Sequence, residues 1–368
     1  KTTTAFLVEH LLRAAGRQTG MIGTVHYKVG DAVRTADRTT PTPFELQAMI
    51  ADMRAAGADT LVMEVSSHAL CQQRLGTTRC DLAVFTNLSP EHLDYHEDME
   101  QYYHAKKRLF TDVLAADGTA VINIDCPYGK RLAAELAEAD VHTCTCGRGA
   151  AADVRIQHQR MDLTGTHLAL PEGELHSPLI GDYNADNAVA AVACARRAGI
   201  PFDRVRRALA TFAGVPGRLQ SAAAERVANV FIDYAHTADA LENVLDCLRP
   251  LCRGRLLVVF GCGGDRDRTK RPEMGRVAAE RADLLVVTSD NPRTEDPDAI
   301  IREICAGIPD TAEAIVEPDR YQAICRALAA KANADTLLIA GKGHEDYQEV
   351  NGVKHAFSDL DAVARALG

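Results

Sequence analysis

The sequence predicts an α/β fold arranged as two consecutive domains. Its 368 residues exceed the length of one ordinary domain. Amphipathic helical segments alternate with short apolar segments, which is the pattern of parallel strands joined by crossover helices. A segment with two glycines and a proline, residues 213–219 (AGVPGRL), separates two such series. We therefore predict one domain at residues 1–217 and a second at residues 218–368.

Helical periodicity and turn residues predict the elements of the first domain. The first helix ends before Gly16, and a capping box with a proline at the first helical position begins the next helix at Thr42. A strand is expected after the Asp117-Gly118 turn. The predicted helices cover residues 4–15, 43–56, 184–198 and 202–212, the strands cover 60–65 and 119–124, and a hairpin covers 153–170.

The second domain repeats the alternation of strands and helices. Its last helix should begin after Ser358, because a serine followed three residues later by an acidic residue is an N-terminal cap. The predicted strands cover residues 227–233, 255–260, 283–289, 313–316 and 335–340.

Composition excludes several classes of protein. A formal net charge of −10 argues against nucleic acid as a partner, which needs a clustered basic surface. The sequence has no apolar run of 18 residues and no signal peptide, so we expect a cytoplasmic protein without membrane insertion. Eleven cysteines occur without any C-x-x-C pair, and residues such as Cys194 and Cys325 lie among apolar neighbours. We interpret them as core side chains, with metal binding as the minor alternative.

The first residues fit the end of a phosphate-binding loop. Lys1 and Thr2 supply the lysine and the hydroxyl that such a loop uses for phosphates and Mg²⁺, although the glycines would lie upstream. Taken alone, these residues are also compatible with a trivial Lys-Thr run. Glu64 at the end of a predicted strand favours the first interpretation, because such carboxylates hold magnesium in α/β folds.

More specific motifs follow along the whole chain. Residues 64–70 (EVSSHAL) and 86–96 (TNLSPEHLDYH) are too polar for a core and too rich in His, Asp and Ser for an ordinary loop. They are followed by DYAH at 233–236, LENV at 241–244, GCGGDRD at 261–267, KRP at 270–272, DNPR at 290–293 and GKGHED at 341–346. In this order the motifs resemble the Mur ligase family, and within it the MurE branch.

The resemblance implies a central P-loop-type domain with a parallel or mixed sheet, followed by a Rossmann-like α/β domain that binds the incoming amino acid. It implies an ATP- and Mg²⁺-dependent amide ligase of peptidoglycan biosynthesis, which adds meso-diaminopimelate to UDP-N-acetylmuramoyl-L-alanyl-D-glutamate through an acyl phosphate. Cations are needed there, because a carboxylate meets a triphosphate. By the same resemblance we expect a monomer, and we expect the family's N-terminal domain and phosphate-loop glycines to be missing from this chain.

The resemblance also implies roles for individual residues near the phosphates. Lys1 would grip the phosphates, Thr2 and Glu64 would hold one magnesium, and His92 and a carbamylated Lys106 would hold a second. A loop histidine that bonds backbone and a solvated lysine face are the alternatives for His92 and Lys106. The remaining nucleotide positions are Thr3, His236 and Asn243, and Asn243 is equally compatible with a plain helix surface.

Two further groups of positions follow from the resemblance. The positions for the UDP-muramoyl-dipeptide are Thr39, Thr40, Ser66, Gln72 and Arg74, which otherwise suit turn and strand-end hydrogen bonds. The positions for diaminopimelate are Arg266, Asp290, Asn291, Pro292, Arg293, Gly341 and Glu345. A planar guanidinium at Arg293 suits the carboxylate that distinguishes diaminopimelate from lysine. A simple turn after a strand is the alternative for DNPR.

Three alternatives stay open at this point: a lysine-adding ligase, a folate-polyglutamate-type ligase, and a catalytically silent nucleotide-binding fragment. Arg293 argues against the first, and the histidine-rich and DNPR motifs argue against the second. The presence of Glu64, His92 and Lys106 argues against the third. The sequence departs from the family pattern at Glu91, where aspartate is usual, at His26, where glycine is common, and in the polar segment 183–187.

Overall fold

A computed structural model describes residues 1–30, 32–89, 93–222 and 229–367, without the side chains of residues 93 and 94. The chain divides into two compact units, residues 1–213 and residues 214–368. Both contain parallel strands joined by helices, so the predicted α/β class is confirmed. Among the described residues, no helix has both the length and the apolar character that crossing a bilayer requires.

The first unit contains eight helices and eleven strands among its described residues. The helices are α1 (Thr2–Ala14), α2 (Pro43–Ala55), α3 (Ser67–Cys71), α4 (Leu93–His96), α5 (Met99–Arg108, continued by a π-helical turn at Leu109–Val113), α6 (Pro127–Glu138), α7 (Asp182–Arg197) and α8 (Phe202–Ala210). The strands are β1 (Thr19–Ile22), β2 (His26–Val29), β3 (Ala32–Thr35), β4 (Thr60–Met63), β5 (Cys80–Phe85), β6 (Leu114–Asn123), β7 (Thr143–Gly147), β8 (Val154–Arg155), β9 (His158–Asp162), β10 (Gly165–Leu170) and β11 (Gly173–Ser177).

Three sheets organise these strands. The first has the order β3-β2-β1-β4, in which β1 and β4 are parallel and the β2–β3 hairpin extends the other edge of β1. The second is the parallel sheet β5-β6-β7-β8, and the third is the antiparallel sheet β9-β10-β11. Because β1, β4 and β5 are followed by polar motifs, the carboxyl ends of these strands are where functional side chains collect.

Several predictions for this unit hold and others fail. The capping box is confirmed, since the Glu45 carboxylate accepts from the Thr42 backbone N–H at 2.9 Å. The hairpin around Thr164 is confirmed by the pairing of β9 with β10. The turn at Asp117-Gly118 is wrong, because both residues lie inside β6. The pairing of β6 with β5 is irregular there, because Cys80 pairs with Leu114 and Leu82 with Thr119. The additional residues of β6, which include Asp117 and Gly118, form a bulge in the strand.

Helices α1 and α7 pack against each other beside the β1–β4 sheet. The α1 residues Leu7 and Leu11 are buried, and the alanines of α7 are almost completely buried, which allows a close helix approach. A polar link crosses this contact, since the Thr4 hydroxyl donates to the Asn187 amide oxygen at 2.9 Å. The contact fixes the first turn of α1, which carries Thr2.

The second unit is built on one mixed sheet of order β12-β13-β17-β14-β15-β16, in which only β12 is antiparallel to its neighbour. Its strands are β12 (Gln220–Ser221), β13 (Val230–Asp233), β14 (Leu256–Phe260), β15 (Leu284–Val287), β16 (Ala314–Val316) and β17 (Thr336–Ala340), with a separate hairpin β18 (Tyr347–Val350) and β19 (Val353–Ala356). Its helices are α9 (Ala238–Leu248, followed by a 3₁₀ turn at Arg249–Leu251), α10 (Lys270–Arg281), α11 (Pro297–Cys305), α12 (Arg320–Ala330) and α13 (Asp359–Leu367).

The central strands of this sheet are buried along their whole length, as expected when helices cover both faces. Every predicted strand of the unit is present within its described part, although part of the predicted strand 227–233 lies outside the described residues. The Ser358 cap is confirmed by its bond from the Asp361 N–H at 3.3 Å. The core prediction for cysteine holds for Cys194 but is wrong for Cys325, which is only half-buried. Burial raises the pKa of the Cys194 thiol to about 12.

Candidate active site

A buried carboxylate lies at the carboxyl end of β4. Glu64 is 3% exposed, and its Oε2 accepts from the Thr2 hydroxyl at 2.9 Å. Its Oε1 accepts from the backbone N–H of Thr24 at 2.8 Å, and the Thr24 hydroxyl reaches Oε2 at 3.2 Å. Gly23 permits this approach, because a Cβ at that position would stand 2.6 Å from Oε1. The end of β1, the end of β4 and the start of α1 therefore meet at one carboxylate.

These groups fit the hard oxygen ligands that Mg²⁺ prefers. The three hydrogen-bond donors around Glu64 are uncharged, and Thr2 adds a hydroxyl oxygen beside the carboxylate. Thr2 and Thr3 are buried in the first turn of α1, while Lys1 is exposed at the helix N-cap. Backbone N–H groups at a helix N-terminus favour anions such as phosphates. The chemistry of Lys1, Thr2 and Thr3 and their place at the start of α1 are therefore compatible with the predicted phosphate-binding role.

Of the positions predicted for the UDP-muramoyl-dipeptide, Thr40 bonds Glu64 directly, and Thr39 and Ser66 are linked to it through Thr24 and Thr40. The Thr39 hydroxyl lies 3.1 Å from that of Thr24, and the Thr40 hydroxyl donates to the Glu64 carbonyl at 3.0 Å. The Ser66 N–H donates to the Thr40 hydroxyl at 3.1 Å, and the Ser66 side chain caps α3. These are the turn and strand-end bonds that the sequence offered as the alternative, and they also gather the predicted residues around one loop.

Arg74 is held in a defined orientation at the same loop. Its Nη1 donates to the Thr40 carbonyl at 2.9 Å, while Nε and Nη2 donate to the Gln72 amide oxygen at 2.9 and 2.7 Å. A guanidinium fixed on two sides keeps its position at low entropic cost when an anion binds to its remaining N–H groups.

The loops that follow β4 and β5 contact each other through aromatic and hydroxyl groups. His96, 3% exposed, lies 2.9 Å from the Ser67 hydroxyl through Nε2, and its ring stacks on Tyr102. The rings of His68 and Tyr95 are 4.2 Å apart. The segment that carries Glu64 and the segment that precedes α5 are thus neighbours.

Lys106 and Lys107 point to different partners although they are adjacent on α5. The Lys106 ammonium donates to the Asn87 carbonyl after β5 at 3.3 Å and lies 4.8 Å from the centre of the Tyr102 ring. The Lys107 ammonium instead pairs with Glu135 on α6 at 2.8 Å. Both lysines are partly buried. Lys106 is the one directed to the loop at the end of β5.

Of the residues predicted for a second metal ion, only Lys106 lies within the described part of the chain. His92 lies outside the described residues, so its predicted role stays a prediction. Within the ranges that the structure does describe, no three His, Cys, Asp or Glu side chains are grouped in a way that would hold a metal ion. This finding does not bear on a carbamylated lysine, whose carboxylate would be added by reaction.

In the second unit, the loops after β14, β15 and β17 meet at the carboxyl edge of the sheet. Asn291 stands at the centre of this region and is 3% exposed. Its Nδ2 donates to Glu345 Oε2 at 2.8 Å, and its Oδ1 accepts from the Glu349 N–H at 2.9 Å. The DNPR and GKGHED motifs, far apart in sequence, therefore form one polar site.

Arg293 is anchored by its backbone and its side chain. It adopts a left-handed backbone conformation with φ of 52°, and it exchanges backbone hydrogen bonds with the β18–β19 hairpin. Its Nη1 donates to the Gly264 carbonyl at 2.7 Å, and its Nε lies 3.6 Å from Glu349 Oε2. Positive φ at a bulky residue is uncommon and is retained where the surroundings fix it. Pro292 precedes it, and the Pro292 carbonyl accepts from the Glu295 N–H at 3.0 Å.

Asp290 and Gly341 fit closely against each other. Asp290 is 5% exposed, and burial raises the pKa of its carboxyl, against the opposing effect of Arg320 and Lys342. Gly341 has φ of 116°, and a Cβ there would lie 2.4 Å from Asp290 Oδ2. Only glycine fits this position, both for its backbone conformation and for the space available.

The remaining predicted residues are more exposed. His236 follows β13, with its Nδ1 2.8 Å from the Tyr234 carbonyl, and its own carbonyl accepts from Lys270 at 2.8 Å. Asn243 is on the exposed surface of α9 and donates to the Asp239 carbonyl of the same helix. Arg266 is exposed on the loop after β14. None of these three positions is bound into the polar site around Asn291 by a described hydrogen bond.

Three contributors to these sites were missed from the sequence. Thr24 binds Glu64 but lies in an unremarkable loop, and Asn87 contributes only its carbonyl, so neither had a local signal. Lys342 is completely buried beside Asn291, and burial lowers its pKa. A lysine between two glycines directly after an apolar strand was a signal available in the GKGHED motif.

Comparison with known proteins agrees with this arrangement. Residues 1–195 match the Mur ligase middle domain, and residues 217–343 match the glutamate ligase domain of Mur ligases. The chain is 46% identical over 374 residues to the UDP-N-acetylmuramoyl-L-alanyl-D-glutamate–2,6-diaminopimelate ligase of Thermosynechococcus vestitus, covering all of this chain and 74% of that protein. It is 43% identical over 372 residues to the protein of the same name from Aquifex aeolicus, covering all of this chain and 75% of the relative.

Solved structures give the same result. A UDP-N-acetylmuramoyl-L-alanyl-D-glutamate–2,6-diaminopimelate ligase superposes with a TM-score of 0.75 at 35% identity, covering all of this chain and 76% of the other. A folylpolyglutamate synthase of Mycobacterium tuberculosis shares the fold, with a TM-score of 0.67 at 22% identity, covering all of this chain and 88% of that one. The predicted succession of a P-loop-type sheet and a Rossmann-like sheet is confirmed by these neighbours. The chain belongs to the Mur ligase family.

Proposed function

We propose that this chain catalyses the ATP-dependent joining of meso-2,6-diaminopimelate to UDP-N-acetylmuramoyl-L-alanyl-D-glutamate. The observation that carries the proposal is the site around Asn291, where the DNPR and GKGHED motifs meet, in a chain 43–46% identical to ligases named for this pair of substrates. Neither a lysine-adding ligase nor a silent fragment is favoured by these relatives.

The first unit suits the activation of the substrate carboxylate. Thr2 and Glu64 would hold a magnesium ion, which supplies positive charge that offsets the repulsion between a carboxylate and a triphosphate. Lys106, directed to the end of β5, is the residue we propose to carry the carbamate. Arg74, fixed on Thr40 and Gln72, is placed to bind an anionic part of the UDP-muramoyl-dipeptide.

The second unit suits the recognition of the incoming amino acid. The far end of diaminopimelate carries an ammonium and a carboxylate. A site that binds this end needs an anionic and a cationic group at a fixed separation. Glu345 supplies the anion and Arg293 the guanidinium, and both are oriented by hydrogen bonds within the unit. Lysine lacks the carboxylate, so it leaves the guanidinium unpaired. This is the physical basis of the proposed preference for diaminopimelate.

Release of ADP and phosphate tests the proposal. The purified protein is incubated with ATP and Mg²⁺, and then with the nucleotide dipeptide, with diaminopimelate, or with both. We expect release only when both are present, together with a product whose mass equals that of the two substrates joined with loss of water. Release that does not depend on the dipeptide, or equal rates with lysine and diaminopimelate, would reject the assignment.

The cytoplasmic location and the monomeric state are part of the same proposal. They are supported by the need for ATP and a nucleotide-linked substrate, which are cytoplasmic compounds, and by the presence of both substrate positions on one chain. Cell fractionation and analytical ultracentrifugation test them.

A further inference from the structure

Lys342 is a completely buried lysine at the end of β17, with 0% of its side chain exposed. Removing an ammonium from water is costly, and an apolar residue of similar volume often gives equal or greater stability at such positions. Lysine is rarely buried in full unless it has charged or polar partners. Its retention here therefore needs an explanation in terms of what it contacts.

The contacts of Lys342 are all in the polar site of the second unit. Its Nζ donates to Asn291 Oδ1 at 3.1 Å and to Glu345 Oε2 at 3.3 Å, and lies 4.0 Å from Asp290 Oδ1. The Tyr347 ring is 5.6 Å away on another side. One ammonium thus stands between two carboxylates and an amide that come from two separate loops.

These contacts determine the orientation of Asn291. Its Oδ1 accepts both from Lys342 and from the Glu349 N–H, so the oxygen end of the amide is fixed by two donors. The Nδ2 end must then face Glu345 Oε2, where the distance is 2.8 Å. A flipped amide would place N–H groups against both donors and is excluded on this ground.

The same contacts determine which oxygen of Glu345 is left for a ligand. Within the described part of the chain, the hydrogen bonds to this carboxylate end on Oε2, from Asn291 and from Lys342. Oε1 is the oxygen left for a further donor. The Glu345 side chain is 17% exposed, so a small cationic group can reach it.

We propose that Lys342 is a positioning residue for amino-acid recognition, which holds the Asn291 amide and the Glu345 carboxylate in the orientation that receives the incoming amino acid. The inference rests on the proposed function, because it takes that site to be the amino-acid site. Without the ammonium, Asn291 loses one of the two donors that fix its amide, and Glu345 and Asp290 repel each other without a cation between them.

Lys342→Met tests the proposal, since it keeps the length and volume of the side chain but removes the donors and the charge. We expect the KM for diaminopimelate to rise roughly ten- to a hundred-fold, which is the usual effect of losing hydrogen bonds to charged groups. The KM values for ATP and for the nucleotide dipeptide should stay within about twofold. A merely structural role would instead lower the active fraction and leave all three KM values unchanged.

Lys354→Met is the matched control. Lys354 is an exposed lysine whose ammonium lies 4.0 Å from the centre of the same Tyr347 ring, and it is outside the polar site. This variant should keep the wild-type KM for diaminopimelate. An equal rise in both variants would mean that the effect comes from charge near Tyr347 and would overturn the positioning role.

Lys342→Gln provides a second test if the methionine variant is unstable. Glutamine provides an N–H donor without the charge, so the KM of this variant for diaminopimelate should lie between the values for wild type and Lys342→Met. If only Lys342→Gln folds, its KM should still be above that of wild type. A wild-type KM in either folded variant overturns the proposal. If thermal unfolding shows that neither variant is folded, Lys342 is needed for the stability of the unit, and the proposal is also overturned.

The failure of the proposed function gives a different result. In that case the wild-type protein itself shows no dependence of ADP release on diaminopimelate. A wild-type enzyme that depends on diaminopimelate, with variants that do not alter its KM, refutes the inference about Lys342 alone.

Discussion

Replacing Arg293 with alanine should reduce the preference for diaminopimelate over lysine, and the structure sets the size of the effect. One N–H of the guanidinium donates to the Gly264 carbonyl, and Nε faces Glu349. The remaining N–H groups are the ones we propose for the substrate carboxylate. Truncating one partner of a buried, hydrogen-bonded charge pair costs about 2–5 kcal/mol or more. Because the Arg293 side chain is 20% exposed, solvent screening favours the low end.

A loss of about 2–3 kcal/mol corresponds to a roughly 30- to 150-fold decrease in kcat/KM for diaminopimelate. Lysine has no second carboxylate at its far end, so its kcat/KM should change little or rise, because the unpaired guanidinium is gone. The ratio of the two specificity constants should therefore fall by about the same factor. Arg293→Lys should restore only part of it, since an ammonium cannot form the paired fork of a guanidinium.

The assay is steady-state ADP release with each amino acid for wild type and both variants. Thermal unfolding accompanies it, since the bond to Gly264 also ties two loops together. Arg302→Ala is the matched control, an arginine on the exposed surface of α11 that pairs with Asp296 at 3.4 Å. Exposed pairs of this kind contribute little stability. If the ratio in Arg293→Ala equals that of wild type, amino-acid choice lies elsewhere, and Arg266 and Glu345 are the next residues to test.

Three further predictions follow from the same structure. Lys106→Ala should abolish most turnover and be partly rescued by short carboxylic acids, whereas Lys107→Ala should keep nearly full turnover; equal mild losses in kcat would refute the carbamate assignment. Gly341→Ala should lower the free energy of unfolding by about 1–3 kcal/mol more than Gly352→Ala. Both glycines have positive φ, but only at Gly341 would the added Cβ meet a neighbouring carboxylate. Equal losses of stability in chemical denaturation would contradict this prediction. Burial alone would raise the pKa of Glu135, but its hydrogen bonds lower the pKa to about 2 from an ordinary 4.5. The stability that Glu135 contributes is therefore present above about pH 4.5 and is lost as the pH falls towards 2. Glu135→Gln should flatten this part of the pH profile of unfolding, and an unchanged profile would refute the prediction.

The parts of the fold that the sequence predicted well are those with a strong local signal. β14 and β17 are short, continuous apolar segments, which is the pattern expected of parallel strands buried on both faces. The β1–β3 meander was not predicted, because β3 is exposed throughout and β2 is only partly buried. The strand β1 also pairs with β4, which lies some forty residues further along the chain, so no local pattern indicates this contact.

The site shows the same division. The motifs predicted which loops carry chemistry, but the sequence of α5 did not separate Lys106 from Lys107 except through the alignment with the family. The two lysines differ in what lies opposite them, the Asn87 carbonyl for one and the Glu135 carboxylate for the other. Both partners belong to other elements, so no local pattern could have made the distinction.

Buried charged residues occur where the local pattern would favour an apolar residue. Glu64, Asp290 and Lys342 are all buried, and each has contacts with groups from at least one other loop. An apolar residue at any of these positions would be compatible with the strand–loop–helix pattern and would avoid the cost of desolvation. The hydrogen bonds around Glu64 instead connect the ends of the neighbouring parallel strands β1 and β4, and those of Lys342 connect the loops after β15 and β17. Both lie at the carboxyl ends of parallel strands, where ligands bind in α/β proteins. Stability alone does not explain these residues, so the three buried charges support the positions that we propose for the metal ion and for the incoming amino acid.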